Sequence, residues 1–419
     1  MLRTIQCVVC FVLSSSLLTA TLRGENWARF RGPDGAGVSS QKGLPVAWTE
    51  KDYAWKVKLP GLGHSSPSVW NDRIFVTSSP DDGRRRIVFC VDAQSGETLW
   101  SRTVKSKTHA KHAHNSFASA TPATDGTGVY VLFASDKQLQ IVAYDFEGET
   151  LWTKNLGAFL QRDGQVHGCG TSAIVFEDQV IVANQQDGDS AIISLDSKSG
   201  NVRWQRDREL RLTAHSTPVI WRGDNGPQLV ISNTGDGIAS LDPRTGKMLF
   251  RADVLTARCV SSPVVAGNLA LATCGGGGRG RFVAAFPLTS RGDLEAADAV
   301  WIREKNLPYV PTPLAFGSHV YLWGDNGVVA CIEAATGKEL WIERVGGNYY
   351  TSPIAVDGKI YCISQAGVVN VIASGPQFKL LGKTELGEGC HTTPAVAAGR
   401  MILRGFEHLY CLNADAAAN

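Results

Sequence analysis

The chain has 419 residues, with 41 basic and 39 acidic side chains and a formal net charge of +2. Because basic and acidic side chains are nearly equal in number, we expect neither a nucleic-acid nor a membrane-surface partner. The 44 glycines and 3 methionines are typical of a turn-rich all-β chain.

The first 24 residues have the features of a secretory signal peptide. Arg3 provides a positive start, residues 5–18 form a short apolar stretch, and Ala20 or Gly24 offers a cleavage site. The stretch is short for a membrane span, although an uncleaved N-terminal anchor is the alternative. We therefore expect an exported protein, periplasmic or extracellular, with no transmembrane span after cleavage.

The chain then repeats one pattern eight times. A Ser/Thr-Pro step is followed by two apolar runs that are joined by a turn such as Asp357-Gly358, which is a strong hairpin signal. The steps lie 40 to 55 residues apart, a period typical of propeller blades. One copy has alanine in place of proline. The anchors are Pro67, Pro122, Ala173, Pro218, Pro263, Pro313, Pro353 and Pro394.

Most repeats end on an acidic residue, a glycine turn and an aromatic residue. The first copy reads Asp92-Ala93-Gln94-Ser95-Gly96-Glu97-Thr98-Leu99-Trp100, and Asp196 to Trp204 keeps the same spacing. Glycine allows the positive-φ turn, Asp caps its amides, and the large ring buries surface against the next blade. The expected docking residues are Trp55, Trp100, Trp152, Trp204, Phe250, Trp301 and Trp341.

These repeats resemble those of the pyrroloquinoline-quinone (PQQ) repeat family, whose docking motif is Ala-x-Asp-x-x-x-Gly-x-x-x-Trp. The similarity covers nearly all of residues 55–415, and residues 27–33 resemble the opening of exported PQQ-like proteins from planctomycete-type bacteria. The family includes quinoprotein dehydrogenases and BamB, the outer-membrane barrel-assembly lipoprotein. The resemblance implies a propeller fold but leaves the chemistry open.

The predicted fold is all-β, an eight-bladed β-propeller of four-stranded blades. The last repeat has only three strands, and the missing strand lies at the other end of the chain, in residues 53–59. Pairing this N-terminal strand with the segment around Cys411 closes the last blade and removes a free sheet edge. The predicted division is a signal peptide at 1–24, an N-terminal extension at 25–52, the propeller at 53–415 and a tail at 416–419.

The candidate binding residues lie where the inner strands begin, because these loops converge on one mouth of a propeller channel. Histidine is the commonest metal ligand, but His64 and His391 belong to neighbouring blades while His215 lies across the channel. Side chains so spread cannot share one tetrahedral zinc, so we expect no metal site. The rim candidates are His64, His114, His167, His215, Tyr309, Tyr350 and His391, together with the loops 103–116 and 155–170.

Cleavage of the signal peptide would leave eight of the ten cysteines. Cys90, Cys331 and Cys411 occupy the same register in three repeats, which indicates small buried strand residues rather than a disulfide framework. Cys259 and Cys274 flank one predicted hairpin turn almost symmetrically, so this pair is a candidate disulfide.

The resemblance also defines what a quinone site would need. Quinoprotein members hold PQQ at the channel mouth with a Trp, a disulfide of adjacent cysteines, a calcium ion and an Asp base. This chain has no Cys-Cys pair and no carboxylate at the rim positions, so we expect no cofactor, with PQQ and calcium as the alternative.

We therefore predict a non-catalytic, BamB-like scaffold. The expected partner is an envelope or extracellular protein, or an extended ligand, bound by a monomer at the rim and long loops. A PQQ-dependent oxidoreductase is the first alternative. A carbohydrate-binding propeller is the second, suggested by rim tyrosines such as Tyr309 and Tyr350.

Overall fold

The computed structural model describes residues 25–80, 82–160 and 167–414, and the predicted signal peptide and C-terminal tail lie outside them. Eight sheets of antiparallel blade strands stand around a central channel, which confirms the predicted eight-bladed propeller. Inner strands of neighbouring blades contact one another around the channel.

In the first four blades the strands follow the chain order from the channel outward. Blade 1 comprises Ser68–Trp70, Arg73–Ser78, Arg85–Asp92 and Thr98–Lys105; blade 2 Ala123–Thr124, Val129–Ser135, Gln138–Tyr144 and Thr150–Ala158; blade 3 Ile174–Phe176, Gln179–Asn184, Gly188–Asp196 and Val202–Leu210; blade 4 Val219–Gly223, Gly226–Asn233, Gly237–Leu241 and Met248–Ala252.

The other four blades repeat this arrangement, with one exception in blade 8. Blade 5 comprises Val264–Ala266, Leu269–Gly275, Gly280–Pro287 and Trp301–Arg303; blade 6 Leu314–Phe316, His319–Trp323, Val328–Glu333 and Glu339–Arg344; blade 7 Ile354–Val356, Lys359–Ile363, Val368–Ala373 and Leu380–Glu385; blade 8 Ala395–Ala397, Arg400–Arg404, His408–Asn413 and Tyr53–Lys58.

The core lies between the blades. The second strand of blade 3, Gln179–Asn184, is buried along its whole length, because neighbouring blades cover both faces of its sheet. The outer strand Val202–Leu210 instead alternates between exposed and half-buried residues over most of its length, as expected where one face meets solvent.

The N-terminal strand closes the ring as predicted. Tyr53–Lys58 runs antiparallel to His408–Asn413, with Trp55 opposite Cys411. It is the outermost strand of blade 8, so the start and the end of the chain share one sheet. This pairing removes the free edge that a three-stranded last blade would carry.

Most docking aromatics lie on the turn of the next blade. The Trp100 indole donates a hydrogen bond of 2.8 Å from Nε1 to the carbonyl of Phe146, and its ring lies so close to Gly148 that a Cβ there would come within 2.7 Å. A glycine is therefore required at this turn for close approach as well as for its positive φ. The same bond, at 2.9–3.1 Å, joins Trp55 to Ala93, Trp152 to Ser197, Trp204 to Pro243, Trp301 to Ala334 and Trp341 to Gly375.

Phe250 docks differently, because it has no indole nitrogen to donate. It is fully buried, and its strand in blade 4 pairs in parallel with Gly292–Leu294, which belongs to the lengthened turn of blade 5. The added strand places Gly292 opposite Phe250. The insertion in blade 5 thus covers an outer strand whose docking residue is not tryptophan.

Residues 26–40 of the N-terminal extension fill the channel, and we call this segment the plug. Its backbone pairs with the inner strands of the two blades that flank blade 8. Trp27 exchanges hydrogen bonds of 2.8 and 2.9 Å with Val69 of blade 1, and Val38–Ser39 lies parallel to Ile354–Val356 of blade 7. Blade 2 is also engaged, since the Thr124 amide donates to the carbonyl of Ala28.

Two buried arginines extend the plug to further blades. Arg29 donates to the carbonyl of Pro218 in blade 4, and Arg31 donates to that of Thr312 at 2.9 Å. Burial lowers the pKa of Arg29 to about 10 and that of Arg31 to about 9. The plug therefore brings positive charge into the channel with carbonyl groups as its hydrogen-bond acceptors.

The candidate disulfide between Cys259 and Cys274 is not formed, and both are free cysteines. The bridge between Arg258 and Gly275 does bring the two thiols to adjacent positions. Burial raises the pKa of both, so each is held as a neutral thiol. The symmetric placement of the two cysteines about the hairpin turn therefore indicates that they lie close together, but it does not make them a disulfide.

Helices contribute little to the described chain. They are the 3₁₀ turns Pro33–Gly35, Glu50–Asp52 and Ala296–Asp298. None of the helices in residues 25–80, 82–160 and 167–414 has the length and apolar character that a membrane span needs.

Candidate functional site

The predicted rim residues surround one cavity of about 360 Å³ at the channel mouth, which we call the mouth cavity. Every blade contributes the residue three positions before its anchor. In blade order these are His64, Ser119, Gly170, His215, Val260, Val310, Tyr350 and His391. The spacing that defined the rim in the sequence therefore corresponds to a closed circle of lining residues.

A second circle lies one step deeper, at the residue directly before each anchor. In every blade the hydroxyl of this residue accepts the backbone N–H of its counterpart in the preceding blade, at 2.9–3.1 Å. The donor-to-acceptor pairs are Ser66–Thr121, Thr121–Ser172, Ser172–Thr217, Thr217–Ser262, Ser262–Thr312, Thr312–Ser352, Ser352–Thr393 and Thr393–Ser66. We call this circle the hydroxyl ring. All eight of its residues line the mouth cavity.

Residues 106–117 connect blade 1 to blade 2 and reach over the cavity, and we call them the mouth loop. The Asn115 side chain fastens the loop, since its Nδ2 donates to the carbonyls of His167 at 2.6 Å and Cys169 at 3.3 Å. The loop thereby adds His112 and His114 to the lining.

On one side of the cavity the imidazoles pack against each other and against a tyrosine. The ring centres of His64 and His391 are 4.7 Å apart, and Tyr350 lies 5.0 Å from His391. His114 reaches this group from the mouth loop, 5.4 Å from Tyr350.

The mouth loop joins this group to the opposite side. His112 lies 5.2 Å from His114 and stacks on His167 at 5.8 Å, and His167 lies 5.9 Å from His215. Rings that the sequence placed across the channel are thus connected through His112, which was not among the rim candidates. The length and His content of the 103–116 loop were its signal.

Four of the lining imidazoles are neutral at neutral pH, because burial lowers their pKa values; these are His64, His167, His215 and His391. Burial, with Arg258 nearby, lowers the pKa of His215 to about 3, and burial beside His114 lowers that of His391 to about 4. Burial also lowers the pKa values of His64 and His167. Neutral imidazoles can each donate and accept one hydrogen bond.

Arg258 supplies fixed positive charge to the lining. It is mostly buried, and its Nη1 donates to the Thr213 carbonyl at 2.8 Å. Sequence reasoning missed it, because it lies five residues before its anchor. Phe30 of the plug also lines the cavity, and no repeat marked it. The hydroxyl ring was visible as the Ser/Thr of every Ser/Thr-Pro step, but we interpreted those residues only as anchors.

Three other aromatic side chains that lie near rim positions in the sequence do not line the mouth cavity. Tyr349 and Trp323 are fully buried and pack on each other at 5.4 Å, and the Tyr349 hydroxyl accepts a hydrogen bond from Asn370. His109 packs between Phe117 and Phe159. Tyr309 does line the cavity, as do all the other predicted rim candidates.

The donor set does not fit calcium and PQQ. Calcium takes oxygen ligands, with carboxylates prominent, and no described residue lining the cavity carries a carboxylate. The nearby Asp325 carboxylate accepts the backbone N–H groups of Tyr309 and Val310, and its pKa is raised to about 6 by burial. Within the described part of the chain, no three His, Cys, Asp or Glu residues are arranged to hold a metal ion.

Fold and site together define a propeller of PQQ-type repeats with a donor-lined cavity at its channel mouth. The chain belongs to the family described as outer membrane protein assembly factor BamB, whose model matches residues 34–135, 84–308 and 299–375. The protein of that name from Yersinia pestis is 24% identical over 347 residues, which are 76% of this chain and 78% of the relative. The one from Burkholderia pseudomallei (strain K96243) is 30% identical over 120 residues, 28% of this chain and 31% of the relative.

Solved structures share the fold. BamB from Moraxella catarrhalis superposes with a TM-score of 0.60 at 18% identity, covering 86% of this chain and 96% of that one. A europium-containing methanol dehydrogenase superposes with a TM-score of 0.68 at 11% identity, covering 92% and 98%. At such identities the likeness extends to architecture alone.

Proposed function

We propose that this protein is an exported, non-catalytic binding propeller that acts as a monomer. Its channel mouth and long loops hold an envelope or extracellular protein, or an extended ligand. The observation that supports this most is that the rim, the mouth loop and the plug all supply residues to one cavity. Relatives named as outer membrane protein assembly factors favour a role in assembly.

The bonding of the lining supports binding over catalysis. The hydroxyls of the ring accept backbone N–H groups, and Ser119 bonds to Ser116 and Asn115. A nucleophilic hydroxyl would need a base within hydrogen-bond reach. Among the described residues, no hydrogen bond joins a lining hydroxyl to a lining imidazole.

The test is site-directed crosslinking. A photoreactive residue replaces His112 in the mouth loop, and the purified full chain is irradiated with envelope extract of the source cells. We expect one partner to be captured. Replacing His64, His215, Tyr350 and His391 together by Ala should reduce its capture at least about tenfold, because the few central residues of an interface carry most of its energy.

His319→Ala is the matched control, since His319 lies in blade 6 outside the mouth cavity and its loss should leave capture unchanged. Equal capture by the fourfold variant would show that the mouth is not the binding surface. Dye-linked alcohol oxidation by protein loaded with PQQ and calcium would instead establish the oxidoreductase, and capture of glycans in place of protein would establish the carbohydrate-binding alternative.

A further inference from the structure

Blades 1 and 2 carry a cluster of exposed basic side chains at the end of the propeller where the mouth loop begins. The hairpin between the second and third strands of blade 1 carries Arg84 and Arg85. Lys105 ends the outer strand of the same blade, and Lys107 follows it in the mouth loop. Lys137 lies in the corresponding hairpin of blade 2. We call these five exposed residues the basic patch.

Backbone hydrogen bonds make the basic patch continuous across the two blades. Within blade 1, the Ser106 N–H donates to the Arg84 carbonyl at 2.8 Å. Between the blades, the Lys107 N–H donates to the Ser135 hydroxyl at 3.0 Å, and the Asp136 N–H donates to the Lys107 carbonyl at 3.3 Å. The patch is therefore a single surface rather than a set of separate loops.

Two cations of the patch lie in an arrangement that costs the fold stability. Arg85 is directly opposite Lys105 in the antiparallel pair of strands, and like charges in that position destabilise a sheet. The repeat does not require them, because the same hairpin carries Asp236 in blade 4 and Asp325 in blade 6. A local cost that the architecture does not impose indicates a use outside the fold.

The nearby carboxylates do not neutralise the patch. Asp136 pairs with Lys107 at 3.8 Å, and Asp82 accepts the Arg84 N–H at 3.0 Å. The excess of positive charge remains even when Asp81, which lies outside the described residues, is counted with them. Within the described part of blades 1 and 2, no ion pair reaches the side chains of Arg84, Arg85, Lys105 or Lys137.

Two further cations connect the patch to the mouth. The guanidinium carbon of the buried Arg86 lies 4.9 Å from the centre of the Phe117 ring, and Lys111 Nζ lies 5.1 Å from it. An aromatic ring attracts cations at such distances, so it holds both side chains in place. Lys111 directly precedes His112, which lines the mouth cavity. A partner bound at the mouth therefore has the patch beside it.

We propose that the basic patch binds an acidic segment of the protein partner that the mouth holds. A carboxylate between Arg85 and Lys105 replaces their mutual repulsion with two charge-assisted hydrogen bonds. A protein segment suits the surface better than a membrane does, because the patch continues into a loop over a concave cavity, whereas a lipid surface is flat. The inference rests on the proposed function and adds the chemistry of the partner.

The test is fluorescence anisotropy of a labelled hexaglutamate peptide titrated with the purified full chain, with hexaglutamine as the uncharged control. We expect only hexaglutamate to bind. Its affinity should fall as salt is added, because exposed charges are screened over about 8 Å at physiological ionic strength. Phosphatidylglycerol vesicles are tested in parallel. If the vesicles bind and hexaglutamate does not, the patch serves a membrane surface and the inference is wrong.

A charge-reversed variant tests the location. It combines Arg84→Glu, Arg85→Glu and Lys105→Glu. The residues at 85 and 105 remain a like-charged pair, so the local cost to the fold persists while the sign of the charge changes. We expect hexaglutamate to bind at least about tenfold more weakly, since like charges brought together at an interface repel.

The matched control makes the same change of net charge at other exposed lysines, in the docking turns that precede the outer strands of blades 3, 4 and 6. It combines Lys198→Glu, Lys247→Glu and Lys338→Glu. This variant should bind hexaglutamate as the wild type does. An equal loss in both variants would show that only the total charge matters and would overturn the inference.

The single change Arg85→Glu separates a binding role from a structural one. Opposite Lys105 it creates an attractive pair, so the midpoint of chemical denaturation should rise while hexaglutamate binds more weakly. A structural role would make the two effects go in the same direction. A lower midpoint in this variant would therefore contradict the argument.

Unchanged hexaglutamate binding in the charge-reversed variant would also overturn the inference. The proposed function fails separately. If the patch binds hexaglutamate but the fourfold mouth variant still captures its crosslinked partner, the acidic-segment site stands and the mouth is not the binding surface. If that variant loses its partner and no hexaglutamate binds, the mouth holds protein and the patch does not contribute.

Discussion

At the scale of single residues, the serine or threonine before each anchor does what the repeated Ser/Thr-Pro pair requires. Its hydroxyl receives a backbone N–H from the neighbouring blade, so every blade is fastened to the next at the channel wall. The third copy, in blade 3, shows which half of the pair matters. Ala173 replaces the proline, yet Ser172 still accepts the Thr121 N–H at 2.9 Å.

Replacing one ring hydroxyl tests this role. Thr217→Val keeps the shape of the side chain but leaves the Ser172 N–H without its acceptor. Because an unsatisfied buried donor is costly, we expect the free energy of unfolding to fall by about 1–3 kcal/mol. Chemical denaturation followed by tryptophan fluorescence measures it.

Thr217→Ser keeps the hydroxyl and is the matched control, so it should lose only the small contribution of a methyl group. If the two variants unfold at the same denaturant concentration, the ring hydrogen bond contributes nothing to the fastening of the blades.

At the scale of elements, the plug and the strand Tyr53–Lys58, which we call the closing strand, join the N-terminal chain to the ring in different ways. The closing strand completes a sheet, as its pairing with His408–Asn413 shows. The plug completes no blade and instead touches inner strands around the channel, with Trp27 fully buried against Gly32. Its loss should therefore open the channel while the blades persist.

Trp27→Ala tests this difference. Loss of a fully buried indole should lower the free energy of unfolding of the plug by about 3–5 kcal/mol. The buried Arg29 and Arg31 would then become accessible, and trypsin cleaves after arginine. We expect trypsin to cleave the variant early after these arginines while the rest of the chain stays intact. Mass spectrometry of the fragments measures the sites and the rate of cleavage.

Trp301→Ala, in the outer strand of blade 5, removes a buried indole of the same size away from the channel and should leave the plug protected. Cleavage after Arg31 at the wild-type rate in Trp27→Ala would mean that the plug is held without its tryptophan.

At the scale of the whole molecule, the buried imidazoles make stability depend on pH. A histidine whose pKa is lower in the folded than in the unfolded protein binds its proton mainly on unfolding. Its contribution is complete above pH 6.5 and is lost as the pH falls towards the folded value. The histidines with lowered pKa are His64, His109, His167, His215 and His391.

We therefore expect the free energy of unfolding to be flat between about pH 7 and 8 and to fall between about pH 6.5 and 4, by up to about 1.4 kcal/mol per pH unit for each histidine. Asp325 has the opposite sign, because its pKa is raised to about 6 and it stabilises the fold as the pH falls. Denaturation curves across this range measure the slope.

The double variant His215→Gln with His391→Gln should flatten the slope by nearly two protons. It should leave the fall below about pH 3 largely unchanged, since that part comes from carboxylates with lowered pKa, such as Asp196 beside Arg203. An unaltered slope in the double variant would contradict the neutral burial of these rings.

The sequence predicts the blades and their closure because both are periodic. The anchors recur at regular spacing, and the strand of Trp55 supplies the one strand that the last repeat lacks. The neighbour of each strand therefore follows from the repeat. The rim positions follow for the same reason, three residues before each anchor. Phe250 was predicted as a docking residue, but the added strand that covers it follows from no repeat.

Non-periodic contacts could not be predicted in this way. The plug touches strands hundreds of residues away, as when Arg31 donates to Thr312. Likewise the mouth loop is fastened by Asn115 to the connection between blades 2 and 3. No local pattern encodes such distant partners, so the place of Phe30 in the cavity wall and the bridging position of His112 were visible only in three dimensions.

The position of the plug and the closing strand in the chain affects when they can fold. Both belong to the first 60 residues of the chain, and both bind surfaces that include blades 7 and 8, which are made last. The earliest part of the polypeptide therefore has no complete native partner until synthesis is over. Such long-range pairing makes folding slow, so the finished ring forms only after the whole chain is available.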